Sequence, residues 1–399
     1  MSATVTSPTF PFLAGPPLDL PAEFERLRAE EPVARVTMPS GDRAWLVTRY
    51  QDVRTVFADP RFSRAAASTP TAPKLSPRFL LRADSILSKD PPDHTRLRRL
   101  VAGAFTARRI DTLRPRIQET TDRLLDGLEQ VDPPADLVTH LALPLPVMVI
   151  CELLGVPYCD RDRFRGWTEA LLNVDLPLAD AYAAREALDD YLAGVIADRR
   201  VHASDDLLGA LTAARDEGGK LSEDELVSFG ITLLIAGHET TANQIATFAL
   251  FLLRNPGQLR LLRESPDLIA PAVEELLRFT PLGVGSGLLR VATTDVEIGG
   301  VGIRAGEAVI ASITSANHDP AVFGDPDELD IARADNPHLA FGPGIHHCLG
   351  AQLARAELQI ALGSLLQRFP GLVLAVGEDE LNWRPRLGLR GPSAVPVRW

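Results

Sequence analysis

The chain has 399 residues, of which 45% are hydrophobic and 24% charged, and its formal net charge is −12. This composition is typical of a globular protein with a sizeable core and excludes a disordered chain. The negative charge argues against general nucleic-acid binding, and the three cysteines are too few for a disulfide framework. Because the N-terminus has no signal-peptide pattern and no apolar run is long enough to span a bilayer, we expect a cytoplasmic protein without a membrane anchor.

After a short helical pattern at residues 21–31, two short alternating segments, residues 33–38 and 44–49, lie on either side of Pro-Ser-Gly-Asp at 39–42. This pattern predicts a β-hairpin. Helical periodicity then continues through residues 113–128, 137–154, 161–173 and 180–200. We interpret the apolar stripes of these segments as core.

Residues 90–109 combine a proline break with an arginine-rich helical pattern. Asp93 is placed to cap the helix, and His94 and Arg98 lie four residues apart on one helical face. The other basic residues form either a solvated face or a docking surface for an acidic protein. They are Arg96, Arg99, Arg108 and Arg109.

The longest predicted helix starts at Ser222, where Glu225 completes a capping box, and continues to about Arg254. Its middle reads Ala-Gly-His-Glu-Thr-Thr at 236–241. A glycine, an ionisable acid and two hydroxyls reduce stability inside an apolar helix. A kinked core helix is one interpretation, but packing alone hardly explains a buried acid followed by two threonines.

Further on, Glu275 and Arg278 lie at i and i+3 of a predicted helix, and Arg333 follows later. As an isolated pair, Glu275 and Arg278 make an ordinary surface salt bridge of little energetic value. Two short strands are predicted from 296 to 298 and from 308 to 312.

A glycine-rich loop near the C-terminus reads Phe-Gly-Pro-Gly-Ile-His-His-Cys-Leu-Gly at 341–350 and precedes a helical pattern. Cys348 alone fits a small core hydrophobe, a nucleophile with a nearby histidine as base, or a thiolate metal ligand. Gly342 and Gly344 allow a tight backbone loop to approach a flat cofactor, and the helix N-terminus favours a thiolate. Residues alone leave these alternatives open.

The pattern Phe-Gly-x-Gly-x-His-x-Cys-x-Gly resembles the haem-ligand loop of the cytochrome P450 family. The segments at 90–109, 236–241 and 275–278 are similar to other P450 motifs and follow in the same order, so the resemblance covers nearly the whole chain. It implies a mainly α P450 fold, with one large α-rich domain spanning residues 1–399 and a small β region. Glu275, Arg278 and Arg333 then form a buried structural network.

The resemblance also implies roles for individual residues. Cys348 is the thiolate ligand of the iron of haem b, and Thr240 and Glu239 are catalytic residues that move protons to bound oxygen. Ala236 and Gly237 give room over the iron. The remaining cofactor-binding residues hold the propionates or build the ligand loop: His94, Arg98, Arg290, Phe341, Gly342, His346 and Gly350.

The implied activity is monooxygenation with O2 and electrons from a separate ferredoxin and NAD(P)H-dependent ferredoxin reductase. The wording of the motifs is most similar to actinobacterial macrolide hydroxylase/epoxidases. We therefore expect hydroxylation or epoxidation of an apolar macrolide or other polyketide. A cyclic peptide undergoing hydroxylation or aryl coupling, or a terpenoid, fits the same motifs. A haem or ligand-binding protein without turnover, and a non-haem enzyme with a nucleophilic Cys348, are the alternatives of a different class.

Overall fold

The structure, a computed structural model, describes residues 7–12, 18–76, 82–173, 175–216, 220–282, 289–384 and 389–399. Within these ranges the helices are α1 (Ala22–Glu30), α2 (Tyr50–Ala58), α3 (Arg64–Ala67), α4 (Asp93–Val101), α5 (Ala107–Glu129), α6 (Pro144–Leu154), α7 (Arg161–Leu172), α8 (Leu178–Val201), α9 (Leu207–Asp216), α10 (Glu223–Arg254), α11 (Pro256–Glu264), α12 (Ile269–Phe279), α13 (Ile313–Ala316) and α14 (Ala351–Arg368). Short 3-10 turns lie at Ile86–Ser88, Ala102–Phe105, Tyr158–Asp160, Pro266–Leu268 and Glu378–Glu380, and a π turn lies at Val138–Ala142.

The strands are short: β1 (Val33–Thr37), β2 (Arg43–Val47), β3 (Phe62–Ser63), β4 (Ala135–Asp136), β5 (Arg290–Ala292), β6 (Val296–Ile298), β7 (Val301–Ile303), β8 (Ala308–Ala311), β9 (Val373–Leu374) and β10 (Pro396–Arg398). A five-stranded sheet has the order β1-β2-β8-β5-β3, in which β1 and β2 form the predicted hairpin and β8 runs parallel to β2. The order β4-β10-β9 makes a second sheet, and β6 pairs with β7. The predicted mainly α architecture with a small β region is confirmed.

The core follows the longest helix, α10, which is buried along most of its length and packs against α6, α8 and α14. Its start is fixed as the sequence predicts. The Ser222 hydroxyl accepts from the amide of Glu225 at 3.1 Å, and the Glu225 carboxylate accepts from the amide of Ser222 at 2.9 Å. This capping box satisfies two of the amides that a helix end leaves unpaired.

A buried ion network fixes α12 to the chain that leads into the 341–350 loop. Arg278 and Glu275 are fully buried and share two hydrogen bonds of 2.8 Å, and the Arg333 Nε donates to Glu275 at 3.1 Å. Arg278 also donates to the carbonyls of Asn317 and Pro326 at 2.8 Å. The prediction that these residues are structural is confirmed, since each buried charge has a partner.

Two local predictions about α4 are wrong. Asp93 does not cap the helix, because the helix starts at Asp93 itself and Pro92 occupies the cap position. Arg96 does not belong to a free basic surface either. Its guanidinium donates to both carboxylate oxygens of Glu225, at 2.6 and 3.1 Å. Among the residues that the structure describes, no helix has the length and apolar character needed to cross a bilayer.

Candidate active site and cofactor site

The 341–350 loop is a tight turn that depends on two glycines. Gly342 and Gly344 have φ of +69° and +81°, a region that other residues rarely adopt. A Cβ on Gly344 would lie 2.7 Å from the carbonyl oxygen of Phe57 in α2, so there is no space for a side chain. The amide of Cys348 donates to the carbonyl of Phe341 at 2.8 Å and closes the loop. The two glycines therefore let the loop pack on α2 and fix the cysteine just before α14.

Cys348 combines two properties that are unusual for a thiol. Its side chain borders open space, yet the protein atoms packed around the sulfur raise the pKa of its thiol. Both observations fit a side chain that faces an interior space. A hydrogen bond from the amide of Gly350 and the positive charges of Arg98 and Arg355 lower the pKa, but burial outweighs them. A stable thiolate at Cys348 therefore needs a further positive charge next to its sulfur. A metal ion bound to the sulfur would provide that charge.

The structure brings the four predicted propionate ligands together from three separate segments. The rings of His94 and His346 lie 4.3 Å apart. Burial is the main cause of a lowered pKa of about 3 for His346, and the positive charges of His94, Arg290, Arg64 and Arg98 contribute to it. Burial and the charge of Arg98 also lower the pKa of His94. The cluster is therefore an interior concentration of positive charge.

Arg64 also belongs to this cluster, although nothing in the sequence led us to predict it. It is 2% exposed, and its Nε donates to the carbonyl of Leu87 at 2.9 Å while Nη1 donates to the carbonyl of Leu289. Burial and the charge of Arg290 lower its pKa to about 9. No motif marks it, because its partners lie 23 and 225 residues further along the chain.

The cluster can accept an anionic group. Asp90 opposes the effect of burial on the pKa values of His94, Arg64 and Arg290, but its carboxylate also accepts from the amides of Arg64 and Ala65. Among the described atoms, Nε2 of His346 and Nη2 of Arg64 are buried without a hydrogen-bond partner. Buried donors of this kind are normally satisfied, so a ligand with carboxylates fits here.

The middle of α10 presents small and hydroxylated residues on one side. Ala236 is exposed although it lies within a largely buried helix, and the half-buried Thr240 donates its hydroxyl proton to the Ala236 carbonyl at 2.9 Å. A Cβ on Gly237 would lie 2.7 Å from Cδ1 of Ile150 in α6. Ile150 of α6 therefore fills the volume that a side chain at position 237 would need. Ala236, in contrast, borders accessible space.

Glu239 is buried beside His238. The two residues are 1% and 0% exposed, and Oε1 of Glu239 lies 3.5 Å from Nε2 of His238. The Asn243 side chain donates to the backbone carbonyl of Glu239 at 2.8 Å. Glu239 thus directs its carboxyl group to His238, and Thr240 directs its hydroxyl back along α10.

These features fit a flat cofactor that combines a metal with two carboxylates. Cys348 could supply one metal ligand, the arginine and histidine cluster could bind carboxylates, and the glycine loop would permit close approach. Haem has this combination, and its iron, with a thiolate ligand, supplies oxygen activation when bound.

Comparisons with known proteins identify the family of the chain. The family model described as Cytochrome P450 matches residues 19–271 and 267–382. The chain is 52% identical to Nocardicin C N-oxygenase of Nocardia uniformis subsp. tsuyamanensis and 48% identical to Mycinamicin IV hydroxylase/epoxidase of Micromonospora griseorubida, and each match covers 98% of both chains. The solved structure of the LnmA cytochrome P450 hydroxylase from the leinamycin biosynthetic pathway of Streptomyces atroolivaceus superposes with a TM-score of 0.91 at 49% identity, covering 98% of this chain and 100% of that one.

Fold, motif order and sequence identity over nearly the full length now agree. The predicted P450 fold and the predicted similarity to macrolide hydroxylase/epoxidases are confirmed. The chain belongs to the cytochrome P450 family, and it is a haem-thiolate monooxygenase that uses O2, redox partners and a small-molecule substrate.

Proposed function

We propose that this P450 holds haem b through Cys348 and oxidises an apolar natural product. The observation that carries the proposal is the cluster of His94, Arg98, Arg290 and His346 behind an interior-facing thiol, because it matches the two propionates of haem b. The buried Nη2 of Arg64 adds a further donor. The arginines offset the negative charge that the cofactor carries into the protein, and the neutral histidines offer hydrogen-bond donors.

The other loop residues have supporting roles in the proposal. Gly342 provides the left-handed turn, and the Gly350 amide donates to the sulfur. At the start of the loop, the Arg355 guanidinium lies 4.5 Å from the centre of the Phe341 ring. These contacts hold the sulfur in place, which stabilises a metal–thiolate bond.

Thr240 and Glu239 are proposed as the catalytic residues beside bound oxygen. The Thr240 hydroxyl borders accessible space next to Ala236, whereas Glu239 is buried one residue earlier. Thr240 would hold a proton donor near the reacting oxygen, and Glu239 would supply protons from the protein interior.

We propose a ferredoxin as the electron donor, reduced in turn by an NAD(P)H-dependent reductase. Arg99, Arg108 and Arg109 are exposed, and among the described residues no carboxylate lies within ion-pair distance of them. Ile345, in the loop that holds Cys348, is 47% exposed and offers an apolar contact. Exposed positive charge of this kind suits an acidic electron carrier.

A cytoplasmic location and a single domain over residues 1–399 remain part of the proposal. Electron-donor proteins and NAD(P)H are available there, and the predicted absence of nucleic-acid binding agrees with the net charge of −12.

For the substrate we propose a macrolide or related polyketide, because Mycinamicin IV hydroxylase/epoxidase is 48% identical to the chain. N-oxygenation of a compound like nocardicin C is the second candidate, because Nocardicin C N-oxygenase is 52% identical. The proposed reaction is therefore oxidation of a carbon atom in a macrolide or of a nitrogen atom in a nocardicin-like compound.

A substrate titration separates these candidates. Ferric protein is mixed with a panel of macrolides, nocardicins, cyclic peptides and terpenoids, and the low-to-high-spin shift of the haem spectrum is recorded. We expect a saturable shift with a macrolide and oxygenated product when ferredoxin, reductase and NAD(P)H are added. A shift and product only with another class would overturn the macrolide assignment.

A further inference from the structure

His238 is a fully buried histidine whose two ring nitrogens contact different groups. Its Nδ1 lies 2.6 Å from the backbone carbonyl of Leu234, one turn earlier on α10. Its Nε2 lies 3.5 Å from Oε1 of Glu239. The ring of Phe164 in α7 stands 6.1 Å away in an edge-to-face arrangement. Two titratable side chains therefore meet inside the core, on the helix that carries the catalytic threonine.

The contacts determine where protons must be. A carbonyl oxygen only accepts hydrogen bonds, so Nδ1 of His238 carries a hydrogen. The contact between Nε2 and the Glu239 carboxyl group is favourable only when a proton lies between them. Either an imidazolium faces a carboxylate, or a neutral imidazole accepts from a protonated carboxyl group. In both cases the pair stores one transferable proton beside Thr240.

We propose that His238 acts through Glu239 as a proton-holding residue for the oxygenation reaction. The inference rests on the proposed catalytic role of Glu239. In the transfer step, the Nε2–H bond of His238 breaks and an O–H bond forms on Glu239, leaving a neutral imidazole and a neutral carboxyl group. Glu239 then releases this proton on the Thr240 side, and His238 takes up another from water. The electrons come from the redox partner that the monooxygenase already uses.

The arrangement on α10 supports this direction of transfer. Thr240 and Ala236 border accessible space, whereas His238 lies on the far side of the helix and Glu239 lies between them. A rotation of the Glu239 side chain would move its carboxyl group from one side to the other. The present 3.5 Å separation is longer than a hydrogen bond, as is common for proton-transfer groups before substrate and cofactor are in place.

The test compares His238→Gln and Glu239→Gln, singly and together, in the haem-loaded enzyme. His202→Gln is the matched control, because His202 is an exposed histidine whose Nδ1 lies 2.9 Å from a carboxylate of Asp198. We expect His238→Gln and Glu239→Gln each to lower product formed per NAD(P)H by about tenfold and to raise the solvent deuterium isotope effect. The double variant should be no worse than Glu239→Gln, because both residues serve one path.

A second measurement does not depend on turnover. In reduced, carbon-monoxide-bound protein with labelled histidines, nitrogen NMR reports the protonation of the His238 ring. We expect its Nε2 signal to change in Glu239→Gln and to stay the same in His202→Gln. An unchanged signal in Glu239→Gln would overturn the shared proton, even if His238→Gln failed to fold.

The outcomes separate the inference from the proposed function. If Glu239→Gln uncouples the enzyme and His238→Gln behaves as wild type, the role of His238 is wrong and that of Glu239 stands. If both variants keep wild-type coupling and isotope effect, both roles are wrong.

Discussion

At the residue scale, His346 makes the stability of the proposed cofactor site depend on pH. Its pKa of about 3 in the folded protein lies well below the ordinary value of 6.5 that it takes in the unfolded chain. The unfolded state therefore binds this proton more readily. Stability from His346 is present above pH 6.5 and is lost as the pH falls from there toward 3.

The first prediction follows from this loss of stability at low pH. In haem-free protein, His346→Asn should make the free energy of unfolding fall less steeply between those pH values than in wild type, because the variant has no imidazole to protonate. Denaturant unfolding at a series of pH values measures the slope. His202→Asn, at an exposed position, should follow wild type. Identical slopes for His346→Asn and wild type would show that His346 is not in the electropositive cluster.

Arg98 and Arg99 provide a second test at this scale, because they are neighbours on α4 with different surroundings. The charge of Arg98 affects His94, His346 and Cys348, whereas Arg99 is exposed. A lost hydrogen bond to a charged group costs about 1.5–3 kcal/mol, so Arg98→Gln should speed haem loss about tenfold or more. Transfer of haem to an excess of apomyoglobin measures the rate. Arg99→Gln should lose haem as wild type does, and equal rates in both variants would remove Arg98 from the propionate site.

At the scale of elements, the contact between α10 and α6 decides how closely the helix that carries Thr240 can approach its neighbour. Gly237 permits this contact, since a side chain there would overlap Ile150. Alanine has a helix propensity about 1 kcal/mol better than glycine, but overpacking a core costs about 1–3 kcal/mol. Packing should therefore outweigh propensity at this position.

The third prediction concerns Gly237 and Ile150 together. Gly237→Ala should lower the free energy of unfolding in the wild-type background. In an Ile150→Val background, which removes the Cδ1 that lies nearest, the same change should cost less or become stabilising. Denaturant titration of the four proteins gives the coupling between the two sites. Additive effects would mean that Gly237 does not pack against Ile150.

The elements also show what the sequence could predict. The capping box at Ser222 and the long helix after it were predicted correctly, because the signals are local and repeat with the helical period. The 341–350 turn could also be predicted from its glycines. The location of Arg64 and the ion pair of Arg96 with Glu225 were not predictable, since their partners are distant in sequence. The orientation of Glu239 toward His238 depends on side-chain rotation, which periodicity does not report.

At the scale of the whole molecule, a net charge of −12 contrasts with the exposed arginines Arg99, Arg108 and Arg109. An acidic ferredoxin would be repelled by most of this protein and attracted to that surface. Electrostatic attraction between exposed groups weakens as salt increases. Docking should therefore be both local and salt-dependent.

The fourth prediction is that Arg99→Glu raises the KM for ferredoxin several-fold at low ionic strength, and that added salt reduces the difference from wild type. Steady-state reduction rates at increasing ferredoxin concentration measure this. Arg43→Glu is the control, because Arg43 is an exposed arginine of β2 in the sheet region. A KM that rises equally in both variants would indicate a general charge effect and no specific docking surface.

The most direct test of the central claim is the absorption spectrum of the reduced, carbon-monoxide-bound protein, recorded for wild type, Cys348→Ser and the control Cys159→Ser. Cys159 is an exposed cysteine outside the site. We predict the Soret band of thiolate-ligated haem in wild type and in Cys159→Ser, and its loss in Cys348→Ser. A thiolate Soret band that persists in Cys348→Ser would contradict the assignment of Cys348 as the iron ligand.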